Sequence, residues 1–423
     1  MDWLDKENSQ KGLCWSLLNG EESSFFKTGK GLRKGDPLSP LLFNLVNDVL
    51  TKMLLKGANL GLVKGLASGF REEGIIALQY ADDTIVFTDV EESHLVNLKG
   101  ILLWFEQISG MSVNFHKSEI ISMNLSDYEA HDLSHFFSCP FGEFPIKYLG
   151  IPLHYDNLRR EDIQPLVDKM LKKIAGWRGK LLSYAARLVL IKACLASIPV
   201  YLLSFIKFPK WAIRIIHTHM ANFLWNDNPE AHRYHLINWD TVSLLKEFGG
   251  LGVPNLRDLN ICLLASWVKR YSLDENKLWK QMIDHKYSTN RPNIFCSNTT
   301  GSSSFSKCMI WAARAAKMGY RWHIGNGKKV RFWEDNWLGS SSLAIQFWDI
   351  YVLVNEKAQT VFELWDGVDL KCTFRRGVDE RLMIRWQEII QLSSTIVFSD
   401  EEDSLIWTFN SRGCTLPNLF TKS

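Results

Sequence analysis

The sequence predicts an α+β fold, and three observations predict it. Two short β-prone runs, at 75–78 and 85–87, bracket a polar bend, Tyr80-Ala81-Asp82-Asp83. Apolar residues at helical spacing flank these strands, at 41–55 before them and 95–108 after them. From residue 160 onward the pattern turns helical, punctuated by Gly176, Pro199 and Pro209. Strands and helices in this order describe an α+β domain that presents carboxylates on a sheet.

Taken in order, residues 14–31 read as a hairpin. One strand ends in Leu17-Leu18, Asn19-Gly20 supplies the turn because both residues tolerate positive φ, and the chain returns through Phe25-Phe26. A Gly and Pro loop at 31–40 opens the next helix, in which Leu42, Leu45, Val46, Val49, Leu50 and Met53 recur at helical spacing. The helix at 95–108 is stopped by Ser109-Gly110. Residues 118–123 read as a further strand, and helices follow at 163–174, 185–198, 211–225 and 255–270. The Ser, Thr and Gly-rich stretch 297–306 reads as a link to the next unit. Beyond it, residues 322–333 place apolar and aromatic runs around Asn326-Gly327, which predicts a second hairpin.

A chain of 423 residues exceeds what one core supports, so two or three domains are expected. With 46% hydrophobic and 22% charged residues, the composition is that of a globular protein and not of a disordered one. Most of the 17 Trp fall between Trp211 and Trp407, where they can build a core or stack on bases. The net charge of +3 is unevenly placed: residues 147–214 hold 13 Lys or Arg against 4 Asp or Glu. Such a segment either faces a polyanion or forms solvated helix faces.

The eight Cys include no CxxC pair, which argues against a zinc site or redox dithiol. Nor do they resemble a secreted disulfide framework, so an intracellular setting, nuclear or cytoplasmic, is expected. Residues 1–10 are polar and acidic, unlike a signal peptide. The apolar run 188–206 is interrupted by Lys192 and broken by Pro199, so it reads as buried helices and no membrane partner is expected. His217 and His219 are two apart on a helix, point to different faces and are read as structural.

The chemistry concentrates at Asp82 and Asp83. Adjacent carboxylates between hydrophobic strands are costly to hold unless something neutralises them, and a divalent cation does so. Phosphoryl transfer to a nucleotide uses two Mg²⁺ ions about 3.5–4 Å apart, and Mg²⁺ prefers oxygen ligands of this kind. Taken alone, two acids in a turn are a weak signal, because solvated turn acids are much the commoner case.

Context changes that reading. Tyr80-Ala81-Asp82-Asp83 resembles the metal-binding hairpin of reverse transcriptases. About fifty residues earlier, Gly31-Leu32-Arg33-Lys34-Gly35-Asp36-Pro37-Leu38-Ser39-Pro40-Leu41-Leu42-Phe43 resembles the loop and helix that hold template and incoming nucleotide in LINE-type, or non-LTR retrotransposon, enzymes. Gly35 admits close backbone approach, Arg33 can fork onto phosphate, and the helix start offers free N–H groups. Lys34 stands where the family usually has glutamine.

Two further segments match in the family's order. Gly110-Met111-Ser112-Val113-Asn114-Phe115-His116-Lys117 places Lys117 at a lysine proposed to protonate pyrophosphate, and Lys147-Tyr148-Leu149-Gly150-Ile151-Pro152-Leu153 resembles the turn that grips the primer. Trp177-Arg178-Gly179-Lys180-Leu181-Leu182-Ser183 and Arg187 look like the thumb of plant relatives, and Gly249-Gly250-Leu251-Gly252-Val253-Pro254-Asn255-Leu256 resembles the region after it.

The resemblance therefore implies a partial polymerase palm, an antiparallel sheet with helices, over residues 1–155. A helical thumb or connection region at 156–297 and a Trp-rich C-terminal region with a hairpin at 298–423 follow. Asp82 and Asp83 would be catalytic and hold Mg²⁺, with Lys117 as acid. Arg33, Lys34, Gly35, Asp36 and Tyr80 would contact nucleotide and template, and Tyr148, Leu149 and Gly150 the primer. The implied partners are an RNA template, a DNA primer, their RNA–DNA hybrid and deoxynucleoside triphosphates.

In this family another metal-binding aspartate lies on a strand well before the glycine-rich loop. Only Asp2, Asp5 and Glu7 precede the first hairpin here, none in an apolar run, so the expectation is a frame truncated at both ends and inactive alone. The alternative is a non-catalytic nucleic-acid-binding remnant of a retroelement. A nucleotide cyclase shares paired acids, but Gly35-Asp36-Pro37-Leu38-Ser39-Pro40 argues against one.

Overall fold

The polar bend folds as an antiparallel hairpin of Ala77–Tyr80 and Asp83–Val86, and the helices on either side of it supply its core. The computed structural model describes residues 13–14, 17–18, 21–22, 26–27, 35–67, 69–70, 74–123, 125–153, 159–177, 182–225, 237–273, 277–287, 293–296, 301–339 and 341–407. They divide into two units, Met1–Phe144 and Pro145–Ser423.

In the first unit, β1 (Leu13–Cys14) pairs with β4 (Phe26–Lys27), and β2 (Leu17–Leu18) with β3 (Glu21–Glu22), so the expected hairpin forms with Leu18 opposite Glu21. The intervening Asn19 and Gly20 lie outside the described residues. Helix α1, Ser39–Asn59, extends the predicted helix at both ends, starting with Pro40 in its first turn, where the missing N–H is harmless. Strands β5 (Ala77–Tyr80) and β6 (Asp83–Val86) follow, then helix α2, Glu92–Ser109, which Gly110 caps at φ 69°. Leu50 and Leu54 of α1 bury against Val63, Ile76, and Leu98 and Phe105 of α2.

Residues 118–123 form no strand: Ile120 makes a single parallel bridge to Phe141. The reason is local, since the Lys117 and Ser118 N–H groups and the Ser118 hydroxyl all bond back to Asn114 and hold the chain in a turn. Helix α3, Asp127–Phe137, was not anticipated, although its start is a capping box in which Ser126 and Glu129 bond reciprocally.

The second unit opens with a second hairpin, β7 (Ile146–Tyr148) and β8 (Ile151–Leu153). Helices α4 (Arg160–Gly176), α5 (Tyr184–Leu190), α6 (Val200–Leu203), α7 (Lys210–Trp225) and α8 (Leu256–Leu273) follow. The predicted helix at 185–198 is not regular: over Ile191–Leu195 it widens to π-helical bonding, and Ala196 N donates to Ile191 O at 2.8 Å. Ile163, Met170, Ile191, Leu195, Leu203, Ile216 and Met220 fill one core. Buried Asn260 of α8 ties it together, donating to Leu203 O and Ile206 O and accepting from Phe208 N.

A second core takes in Leu264, Ala265 and Val268 of α8 with α9 (Ser304–Ala316) and most of the later aromatics. Trp322, Trp333, Trp337, Trp365 and Trp386 are all buried there, so these tryptophans serve as core and not as stacking platforms. Helix α10, Glu380–Ser393, closes over it.

The expected Asn326-Gly327 hairpin does not form. β9 (Tyr320–His323) pairs instead with the distant β10 (Ser404–Trp407). Asp403 supplies the cause: Oδ1 accepts from Gly325 N and Gly327 N, and Oδ2 from Lys329 N, each at 2.8 Å. Alternate amides of the loop thus wrap one carboxylate and are not available to a strand partner. Among the described residues no helix is long and apolar enough to cross a membrane.

Candidate active site

The acidic bend closes in two residues. Tyr80 lies opposite Asp83, so Ala81 and Asp82 alone make the turn, and Asp83 is the first residue of β6. Ala81 has φ 52°, while Asp82 is not among the positive-φ residues. Positive φ at the first turn residue only is the pattern of a type II′ turn, which favours glycine there. A side chain in that conformation costs on the order of 1–3 kcal/mol and persists only where its surroundings over-determine it.

Helix α1 provides that constraint. Asn47 Nδ2 donates to Ala81 O at 2.7 Å, and Thr51 Oγ1 donates to Gln79 Oε1 at 2.7 Å. The two residues are one turn apart on the same helix face. Asn47 is buried, whereas Tyr80, Asp82 and Asp83 are exposed. One helix therefore begins beside the glycine-rich loop and fixes the acidic turn about 12 Å further along its axis, the rise of eight residues. Sequence reasoning missed Asn47 and Thr51, although two polar residues four apart in an apolar helix face were a usable signal.

Gly35 has φ 87°, and among the described residues nothing lies within 4 Å of where a side chain would begin, so the backbone there can approach a ligand. Asp36 has a structural duty: Oδ1 accepts from Leu38 N at 3.0 Å and organises the helix start. Arg33 and Lys34 lie outside the described residues. Lys117 is exposed in the turn that Asn114 organises, and among the described residues no hydrogen bond or ion pair joins it to Asp82 or Asp83.

Two exposed carboxylates on a fixed turn suit Mg²⁺, which binds through one or two carboxylates and takes its other oxygens from water and substrate phosphate. Among the described residues no third metal-capable side chain joins them. The group of three that does occur, Asp89, Glu91 and His94, lies at the start of α2, where His94 Nδ1 is 2.6 Å from Asp89 Oδ1.

The β7–β8 turn repeats the device. Leu149 and Gly150 both have positive φ, 50° and 79°, as a type I′ turn requires, and Leu149 is again an ill-suited residue. Tyr201 Oη donates to Leu149 O at 2.6 Å. Each candidate turn thus carries a strained non-glycine residue whose carbonyl is gripped by a side chain from a helix. Arg187 of the basic segment is used internally: it is buried, and its Nε and Nη1 donate to Leu182 O and Leu224 O.

Residues 3–153, which contain both turns, match the family described as reverse transcriptase (RNA-dependent DNA polymerase). The chain is 35% identical over 97 residues to a retrovirus-related Pol polyprotein from a type-1 retrotransposable element of Popillia japonica, covering 23% of this chain and 13% of that one. It carries a reverse transcriptase domain of the non-LTR retrotransposon type. A Pol polyprotein from a type-2 retrotransposable element of Drosophila melanogaster is 27% identical over 276 residues, 59% of this chain and 23% of its own. An Arabidopsis thaliana protein that bears the name ribonuclease H protein is 28% identical over 196 residues, 46% of this chain and 32% of its own. The chain therefore spans a third or less of these relatives. Within the reverse transcriptase domain, the family match takes in the acidic turn, Asn47 and Thr51 that hold it, and the β7–β8 turn.

Proposed function

We propose that the chain is part of an RNA-directed DNA polymerase, in which Asp82 and Asp83 hold Mg²⁺ while deoxynucleotides are added to a DNA primer on an RNA template. The observation that carries this reading is the exposed pair Asp82–Asp83 on a strained turn, gripped by the helix that leaves the glycine-rich loop. Strain held in place in this way is characteristic of sites that must present groups in one geometry. When bound, Mg²⁺ supplies charge neutralisation at the phosphates and a more nucleophilic primer hydroxyl.

The remaining roles belong to this chain's own residues. Gly35 lets the backbone approach the nucleotide, Arg33 and Lys34 meet its phosphates or the template, and Tyr80 lines the same face. Asp36 contributes by fixing the helix start, and Lys117 is a proton donor to the departing pyrophosphate. Tyr148, Leu149 and Gly150 position the primer end, and the basic helices of 156–297 follow the RNA–DNA hybrid through phosphate contacts that ignore base identity.

Two ions in line with a primer hydroxyl need more than two carboxylates, and none of the other described residues joins the pair. Residues 1–423 alone are therefore expected to bind nucleic acid with little or no synthesis, which favours the second reading, a non-catalytic binding protein, for this stretch in isolation. Primer extension on an RNA template with Mg²⁺, with Asp82→Ala and Asp83→Ala as controls, tests both. Synthesis abolished by either substitution supports the polymerase and sinks the expectation of inactivity. Salt-dependent hybrid binding without synthesis supports the binding reading, and absence of both defeats the proposal.

A further inference from the structure

The Gly249-Gly250-Leu251-Gly252 loop is not accounted for by the polymerase roles, and its surroundings are unusual. Gly252 has φ 67°, and a Cβ built there would lie 3.4 Å from Lys192 Nζ and 3.8 Å from Lys246 Cγ. Two lysines from separate segments therefore converge on one glycine. Lys192 comes from the π-helical turn Ile191–Leu195, and Lys246 opens the short turn Lys246–Phe248.

Among the described residues no carboxylate explains the meeting. Burial lowers the Lys192 pKa first and Lys246 lowers it further, with no acid acting in the other direction. Like charges drawn together without an anion destabilise the fold, so an arrangement of this kind is more favourable once an anion sits between them. The loop's own amides are already used: Gly249 N, Gly250 N, Leu251 N and Gly252 N donate to Lys246 O, Leu245 O, Val242 O and Leu244 O. Gly250 is packed so closely that a Cβ would fall 2.1 Å from Leu244 O, which makes the loop a firm floor. The donors left for a ligand are the two ammonium groups. Phe248, two residues from Lys246 in the chain, is 71% exposed. Lysines close in sequence to an exposed aromatic suit an alternating phosphate and base.

We propose that Lys192, Lys246 and Gly252 form a binding site for a single backbone phosphate of a nucleic acid, with Phe248 as a stacking surface for the neighbouring base. The bare Cα of Gly252 leaves room for Lys192 to reach the shared position. The inference rests on the reading that this chain holds an RNA–DNA hybrid, and it assigns one contact of that complex to these residues.

The test is the salt dependence of binding of a short RNA–DNA hybrid to the full chain. Neutralising one phosphate contact changes the slope of log K against log salt by about 0.7–0.9, so affinity should fall about threefold less between 50 and 200 mM salt. Because both lysines serve one phosphate, Lys192→Gln and Lys246→Gln should each produce part of that change and the double variant the whole of it. Lys192→Arg should keep the original slope. Relief of the repulsion predicts that either single Gln variant unfolds at the same temperature as the parent or higher, which separates loss of a site from loss of fold. Steep salt-dependent binding that the double variant retains in full overturns the site and leaves the hybrid-binding reading intact. Absence of any salt-dependent hybrid binding by the parent chain overturns both.

Discussion

Asn47 Nδ2 donates to the Ala81 carbonyl at 2.7 Å, joining a buried helix residue to the turn that carries Asp82. Replacing the amide by an isostere without a donor, Asn47→Leu, leaves that carbonyl and the strained turn unsupported. Loss of one partly buried hydrogen bond predicts a decrease of about 1–3 kcal/mol in unfolding free energy, read from urea titration of the full chain. Ala81→Gly should act oppositely and recover about 0.5–1 kcal/mol, because glycine adopts positive φ without a Cβ clash. An unchanged midpoint in both variants would mean that the turn is held by something other than Asn47.

The β7–β8 turn allows a parallel experiment. Tyr201→Phe removes the hydroxyl that donates to Leu149 O and nothing else. Tyr201 is 48% exposed, so water can replace part of the bond and the expected loss is at the low end, about 0.5–1 kcal/mol. Under the primer-positioning proposal the same variant should bind a primed template less tightly than its small stability loss explains. Equal binding by the two proteins would confine Tyr201 to a structural role.

What could be read beforehand, and what could not, follows the range of the forces involved. The helices α1, α2 and α7 were legible because apolar periodicity is a local signal, and the acidic hairpin because its strands are adjacent in the chain. The grip of Asn47 on Ala81 spans 34 residues, and the pairing of β9 with β10 places Tyr320 opposite Trp407. No local pattern encodes such partners. Asn326-Gly327 misled for the same reason: its turn propensity is real, but a carboxylate 76 residues from Gly327 claims the amides a hairpin would need. The π-helical turn at Ile191–Leu195 was hidden too, because its residues keep the apolar spacing of an ordinary helix.

That carboxylate should be among the more sensitive positions in the second unit. Asp403 is 6% exposed and accepts three backbone N–H groups through its two oxygens. Asp403→Asn keeps the shape but turns one oxygen into a donor that faces another donor. Hydrogen bonds to a buried charge contribute about 1.5–3 kcal/mol, so the substitution is expected to cost about 2–3 kcal/mol. Urea unfolding followed by tryptophan fluorescence measures it, since Phe332 and Trp333 pack in the same core. A loss below about 0.5 kcal/mol, within the usual scatter of surface changes, would show that the loop does not depend on Asp403.

His217 gives the chain a built-in sensitivity to acid. Burial holds its pKa down at about 4 against an ordinary 6.5, only partly opposed by the Asp240 carboxylate, and among the described residues buried Nε2 has no hydrogen-bond partner. Its ring lies 5.9 Å from that of Trp239, in a setting that accepts the neutral form. On unfolding the imidazole regains its ordinary affinity for protons, so between these two values the unfolded chain binds more protons than the folded one. The stability associated with the neutral ring is complete above pH 6.5 and is lost as pH falls toward 4. Burial also lowers His219, which adds in the same direction. His217→Phe removes the titrating group together with an unsatisfied nitrogen, so the variant should be as stable as the parent at pH 7 or slightly more, and clearly more stable at pH 5. If the parent and His217→Phe lose stability equally between pH 7 and pH 5, the acid sensitivity lies elsewhere.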